Sequence, residues 1–282
     1  MPQNLADPAA FSWAYSINSI DDHRRLKMTS AKISILLFAT SLLLCTGCRV
    51  KKKLSEAIPI QHELWDTLLQ THVSDDGWVD YSGFRQDSQK LKTYLQLLSK
   101  NHPNDKHWSK DEQLAYWINA YNAYTVKIVA DHYPVSGIKD IKNGIPFVNT
   151  VWDIKFIQIE NHSYDLNNIE HGIIRKHFNE PRIHFAVNCA SYSCPALINR
   201  AFTATSLDQQ LDDAARRFIN DPLRNHPSKN PAQLSKIFSW FKGDFTKNDD
   251  LKSFVNKYAI KPISADAKIQ YLDYDWSLND QQ

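Results

Sequence analysis

The sequence predicts an α+β fold, a mostly helical single domain with a few short strands. Apolar residues recur at helical spacing over 64–98, 111–130 and 207–218, while segments of strand character are few and short. From Leu54 onward no Gly/Ser/Pro linker divides the chain and no repeat is present, so one globular domain over 60–280 is the simplest organisation. Of 282 residues, 43% are hydrophobic and 12% aromatic, which supplies the apolar surface for one substantial core.

Taken in order, Leu64, Leu68 and Leu69, then Leu91, Leu95 and Leu98, predict two early helices separated by the turn-rich loop THVSDDGWVDYSGF. Residues 111–130 carry Leu114, Ile118, Tyr121 and Ile128 on one stripe, and Trp117, Tyr124 and Val129 on the remainder. A helix apolar nearly all round is expected to be buried. Val151 to Glu160 reads as a strand ending at the turn signal Glu160-Asn161-His162-Ser163. Asp165 then suits the N-cap of a helix carrying Ile169, Ile173 and Ile174, and Ile183 to Val187 reads as a short buried strand. Ser206 and Gln209 have capping-box spacing ahead of a helix with Leu207, Leu211, Ala214 and Phe218. Ile269, Tyr271 and Asp273 alternate as in a last strand.

The N-terminus carries an address. An apolar run from Ile33 to Cys45, too short to span a bilayer, follows Arg24, Arg25, Lys27 and Lys32, and leads to Leu44-Cys45-Thr46-Gly47-Cys48. This resembles a bacterial lipoprotein signal over residues 1–47, with Met28 as an alternative start, Cys45 where leucine is usual, and Cys48 as the lipid attachment site. Residues 48–59, with the basic run Arg49 to Lys53, then form a lipid-anchored tether. The resemblance implies the cell envelope, with the membrane reached through the anchor. In a diderm cell, the lack of Asp at position 49 implies the outer membrane, facing the periplasm.

Composition narrows the partners. Lys and Arg total 33 against 31 Asp and Glu, so the field needed to hold a nucleic-acid backbone is absent. With 7 Gly and no phosphate-cradling loop, nucleotide binding of the usual kind is not expected, and neither is any other cofactor.

Three constellations could carry chemistry. Asn119 and Asn122, three apart on the buried helix with Tyr121 between them, either line a cleft or pin neighbouring loops through backbone bonds. Glu170 and His171 stand early in the helix capped by Asp165, with His184 on the short strand after it. A histidine near a helix N-terminus is biased toward its neutral form, as a base requires. The densest is Asn188-Cys189-Ala190-Ser191-Tyr192-Ser193-Cys194-Pro195, which holds both cysteines of the domain. Pro195 at the first position of a helical turn would put Cys194 at a helix N-terminus, where its thiolate is stabilised. A disulfide, a reactive thiol, inert thiols and a metal site remain open, with metal last because only two sulfurs are present. Trp240, Phe241 and Phe245 around Asp244 read as an aromatic cluster closing the core, with Asp244 as a loop cap.

YWINAYNAYTVKIV at 116–129, DLNNIEHGIIR at 165–175, PRIHFAVNCASYSCPAL at 181–197 and IFSWFKGDF at 237–245 together resemble the domain of unknown function 547. The early WDTLLQTHVSDDGWVDYSGF and the terminal YDWSLN are similar to its bacterial members. The resemblance implies that Asn119, Tyr121, Asn122, Glu170, His171, His184, Asn188, Cys189 and Cys194 are characteristic positions, and it supplies no reaction. Two functions of different class follow. The favoured one is a binding domain whose polar cleft, around Asn119, Tyr121, Asn122 and Asn188, takes a peptide, glycan or protein partner. The other is a cysteine-dependent amide hydrolase or acyltransferase, with Cys194 or Cys189 as nucleophile, His171 or His184 as base and Glu170 or an asparagine as orienter.

Overall fold

The computed structural model describes residues 55–142 and 150–281. The signal segment 1–47, the lipid-site Cys48 and the first part of the tether lie outside the described residues. Among those described, no helix is long and apolar enough to cross a membrane.

Helix α1 (Glu63–His72) buries Trp65, Leu68 and Leu69. The turn-rich loop after it is not wholly irregular. The Asp80 carboxylate accepts from the Gly83 N–H at 2.7 Å and so starts a short helix, α2 (Tyr81–Gln86), which buries Tyr81 and Phe84. Helix α3 (Ser88–Lys100) adds Leu91, Tyr94, Leu95 and Leu98. Helix α4 (Lys110–His132) begins with a capping box. The Glu112 N–H donates to Ser109 Oγ at 3.2 Å, and the Ser109 N–H donates to the Glu112 carboxylate at 2.7 Å. Leu114, Trp117, Ile118, Tyr121, Ile128 and Val129 are all buried, as expected of a helix apolar all round.

The stretch from Val151 to Glu160 forms a strand only at its end. Thr150 and Asp153 close a 3-10 turn over Val151–Asp153, and only β1 (Ile157–Ile159) pairs, antiparallel, with β2 (His162–Tyr164). Asp165 caps the next helix, its Oδ1 accepting from the Asn168 N–H at 2.6 Å. That helix widens into a π-helix over Asn168–Ile174 before α5 (Arg175–His177), and across the widened turns Glu170 is buried while His171 is exposed.

Two local expectations are corrected. Ile183 to Val187 is not a strand; Pro181–Phe185 is a 3-10 helix. Pro181 sits at its start, the Glu180 carboxylate accepts from the Arg182 N–H at 3.0 Å, and among the described residues no strand pairs with it. Helix α6 (Leu207–Ile219) forms as expected but without the Ser206/Gln209 box. Ser206 Oγ donates to Gln210 Oε1 at 3.1 Å, and Gln209 instead reaches Asp213 at 2.8 Å.

The C-terminal part continues through β3 (Ala232–Leu234), α7 (Ile237–Trp240), α8 (Lys242–Phe245), α9 (Leu251–Asn256) and β4 (Ile269–Tyr271), with β3 and β4 parallel. Apolar side chains gather in two clusters. One is built on α1 to α4 and the β1–β2 hairpin; the other joins Phe185, Phe218, Phe238, Phe245 and Val255. The last segment pairs Ser277 with Gly137, Leu278 with Ser191 and Asp280 with Val79, tying distant parts of the chain together.

His62, just before α1, is buried with Nδ1 2.7 Å from the Tyr94 hydroxyl, and burial lowers its pKa from 6.5 to about 4. Between those values the unfolded chain binds a proton that the folded one refuses, so stability present at pH 6.5 is lost as pH falls toward 4. The loss across that window is on the order of 3 kcal/mol. Urea unfolding of the wild type and His62→Gln at both ends of the window checks this. A shallower fall is expected in the variant, and equal falls would place the linkage elsewhere.

Candidate functional site

The cysteine loop is fixed from several sides. Asn122 on α4 donates from Nδ2 to the Ala186 carbonyl at 2.9 Å and accepts the Asn188 N–H at 2.8 Å. One turn earlier, Asn119 grips Phe202 in the same way, donating to its carbonyl at 2.8 Å and accepting its N–H at 3.0 Å. These amides therefore frame the segment that holds both cysteines, and their hydrogen bonds are spent on backbone. Asn188 closes the loop upon itself, donating to the Pro195 carbonyl at 2.7 Å and accepting the Ala190 N–H at 2.8 Å. Ala190 has φ +62°, a left-handed conformation that a side-chain-bearing residue keeps only when its surroundings impose it.

Two further elements complete the frame. Buried Arg224 donates from Nε to the Cys194 carbonyl at 2.8 Å and from Nη2 to the Tyr192 carbonyl at 2.7 Å, while Nη1 pairs with Asp221. From the C-terminal segment, the Ser277 carbonyl accepts the Tyr192 N–H at 2.7 Å, and the Asn279 N–H donates to the Ala190 carbonyl at 3.2 Å. Gly77 touches the far end of the loop, where a Cβ would lie 2.5 Å from that of Ala196.

Cys194 does not sit at a helix N-terminus, because no helix follows Pro195. Both cysteines are free thiols, Cys194 buried and Cys189 half-buried, with their sulfurs 3.0 Å apart. The Cys189 N–H points at Cys194 Sγ at 2.9 Å. Around Cys189 Sγ stand Ser191 Oγ at 3.1 Å and the Tyr274 hydroxyl at 3.3 Å, and Ser191 donates to Tyr274 at 2.9 Å. The two thiols differ sharply in acidity. Hydrogen bonding from Cys194, then from Ser191 and Tyr274, outweighs burial and lowers Cys189 from 9.0 to about 7. Burial, reinforced by neighbouring Cys189, pushes Cys194 well up. The acidic thiol is thus Cys189, activated by hydroxyl and thiol donors instead of a helix dipole.

Buried Tyr121 has its hydroxyl pushed up first by desolvation, then by the charge of Glu170 and of the two cysteines, so the carboxylate and the thiols are all its neighbours. His184 belongs to a different arrangement. Its Nε2 lies 2.7 Å from Asp244 Oδ2, which also accepts from Arg175 Nε at 2.6 Å, and its ring stacks on Phe241 at 3.9 Å. Burial lowers the pKa of His184 and leaves Nδ1 without a hydrogen-bond partner among the described residues. Asp244 lies well below the usual carboxylate range, because hydrogen bonds from His184 and Arg175 outweigh its desolvation. It is the centre of an ion-paired network and not a loop cap. His171 is exposed, accepting from Arg175 Nη1 at 3.1 Å.

The fold therefore gathers Cys189, Cys194, Tyr121 and Glu170, with Asn122 and Asn188 as framework, and holds His184 in the Asp244 network. Among the described residues no imidazole nitrogen lies within hydrogen-bond distance of either sulfur. Sequence reasoning left Ser191, Arg224 and Tyr274 without roles. Ser191 and Tyr274 stand inside recognisable motifs, whereas nothing in the local sequence marks Arg224.

Residues 106–219 match the model of a family described as protein of unknown function, DUF547. The likeness to DUF547 is confined to that segment. The DUF547 segment contains α4, Glu170 and the cysteine loop, while Arg224, Asp244 and Tyr274 come from beyond it. No curated protein and no solved structure matches the chain.

Replacing Arg224 by Gln strips two loop carbonyls of their donor and leaves Asp221 uncompensated. A loss of about 2–4 kcal/mol in denaturant unfolding is expected. Faster native-state alkylation of Cys194 should accompany it. Unchanged stability would mean that the loop holds its shape without the clamp.

Proposed function

We propose that this domain is a thiol–disulfide exchange module tethered to the cell envelope through lipid on Cys48. The observation that carries the reading is the unequal sulfur pair: a half-buried thiol of pKa about 7 lies 3.0 Å from a buried thiol of raised pKa. The lowered pKa of Cys189 raises the share present as thiolate, which is the nucleophilic form. The thiolate attacks one sulfur of a partner disulfide, forming a mixed disulfide and expelling the other sulfur as a thiolate that takes a proton from water. Cys194 then attacks Cys189 Sγ; the Cys189–Cys194 disulfide forms, the remaining partner sulfur leaves, and the Cys194 proton passes to it. The Cys189 N–H directed at Cys194 Sγ favours negative charge there during this second step. Run in reverse, the same steps oxidise a partner dithiol.

An envelope location, supported by the signal-like segment and Cys48, suits this chemistry, because disulfides form and persist in that compartment. Amide hydrolysis has less support: it needs a base at the sulfur, and His171 and His184 are engaged with Arg175 and Asp244. Recognition through Asn119, Asn122 and Asn188 is also less supported, since their amides hold backbone groups.

Iodoacetamide alkylation against pH tests the pair. The wild type should titrate near pH 7, the value set for Cys189, and Cys194→Ala should move the midpoint upward because the strongest lowering contact is gone. A midpoint at the ordinary thiol value of about 8.5, indifferent to Cys194→Ala, would overturn the proposal. The anchor is tested separately. Cys48→Ser should move the protein from the detergent phase to the aqueous phase on Triton X-114 partition, and unchanged partition would remove the lipid attachment.

A further inference from the structure

Next to the thiol site lies an aromatic strip that borders both apolar clusters. Trp276 packs 4.5 Å from Tyr274, 5.7 Å from Trp240 and 5.7 Å from Trp152, measured between ring centroids. All four rings are half-buried. Trp152 rests on the cluster built from α1 to α4, Trp240 and Tyr274 rest on the C-terminal cluster, and Trp276 spans the gap between them. The Lys139 ammonium lies 3.5 Å from the Trp276 centroid, a cation–π contact that fixes the ring. The strip is continuous with the chemistry, since the Tyr274 hydroxyl is the one 3.3 Å from Cys189 Sγ.

Resting on the exchange reading above, we infer that this strip recognises the partner, and that the partner is a polypeptide with an apolar or aromatic side chain next to its reacting cysteine. Three considerations fix that occupant. A disulfide sulfur must approach Cys189 Sγ directly, and adjacent Cα atoms are about 3.8 Å apart, so the residue flanking the partner cysteine comes within reach of Tyr274, whose hydroxyl is 3.3 Å from that sulfur. Adjacent half-exposed Trp and Tyr rings offer large contact area at small entropic cost, which makes them the usual anchors of protein recognition. A glycan could stack on the same rings but brings no sulfur to Cys189.

The test uses the full chain, reduced and held in detergent, with two synthetic peptide disulfides, one having Phe and Leu beside its cysteine and the other Gly at both places. Exchange is followed by release of the peptide thiol, and binding by tryptophan fluorescence with Ser replacing the peptide cysteine. The Phe/Leu peptide should exchange and bind about tenfold better, a difference of the size one well-placed aromatic anchor supplies. Trp276→Ala and Trp240→Ala should bring that ratio toward one, whereas Trp276→Phe, which keeps a ring on the strip, should retain most of it. Equal exchange and binding of the two peptides by the wild type, or a preference unchanged in both alanine variants, would overturn the inference. Preferential binding of the Phe/Leu peptide with no exchange of either disulfide would keep the recognition surface and remove the exchange reading instead.

Discussion

The thiol site depends on a helix that gives up two of its buried positions to asparagine. Along α4, Asn119 and Asn122 interrupt a surface otherwise committed to Leu, Ile, Trp and Tyr. A buried amide left unpaired costs about 1–3 kcal/mol. Here each amide is closed by one N–H and one carbonyl of a loop that has no regular secondary structure of its own. The debt of burying the amides and the need of the loop's backbone groups cancel one another. Each requires the other, so the loop can be irregular and still be fixed.

With the backbone held, small differences of environment separate two chemically identical side chains. Cys189 is half-buried among hydroxyl groups, and Cys194 is buried with its own carbonyl held by Arg224. Desolvation acts upward on both, but only for Cys189 do hydrogen bonds exceed it. Moving Cys194 away would remove the largest of those bonds, so the acidity of Cys189 is itself a product of loop geometry. Glu170 acts on Tyr121 and the Asp244 network holds His184, and neither carboxylate is hydrogen-bonded to a sulfur. The buried face is thereby kept polar while the sulfur pair stays free of ionic partners.

How much of this was legible in the sequence varied with the range of the interactions. The periodicity of α4 and the Ser109–Glu112 cap are local, and a reader of the chain finds the helix directly. The spacing of Asn119 and Asn122 and the clustering of Cys189 and Cys194 also reveal that something is built there. Ile183 to Val187 misleads, because a short β-branched and aromatic run resembles a strand whether or not a neighbour exists to pair with it. Pro195 misleads in the same manner: it fits the first turn of a helix, yet Asn188 and Arg224 take its own carbonyl and that of Cys194, and no helix follows. Arg224, Asp244 and Tyr274 act across 30, 60 and 85 residues respectively, distances at which no local pattern carries information.

Those long-range contacts share an origin. The matched DUF547 segment ends at residue 219, and four groups that finish the site come later: Arg224 under the loop, Asp244 on His184, Tyr274 on Cys189 and Ser277 on Tyr192. The earlier segment contributes the two sulfurs and the later one sets part of their surroundings. Because the later part has its own apolar cluster, around Phe218, Phe238 and Phe245, its ordering does not draw on the first cluster alone. The cysteine loop lies where the two clusters meet and is bonded to both sides. The surroundings of Cys189 and its aromatic border therefore draw on both clusters, so neither cluster alone supplies them.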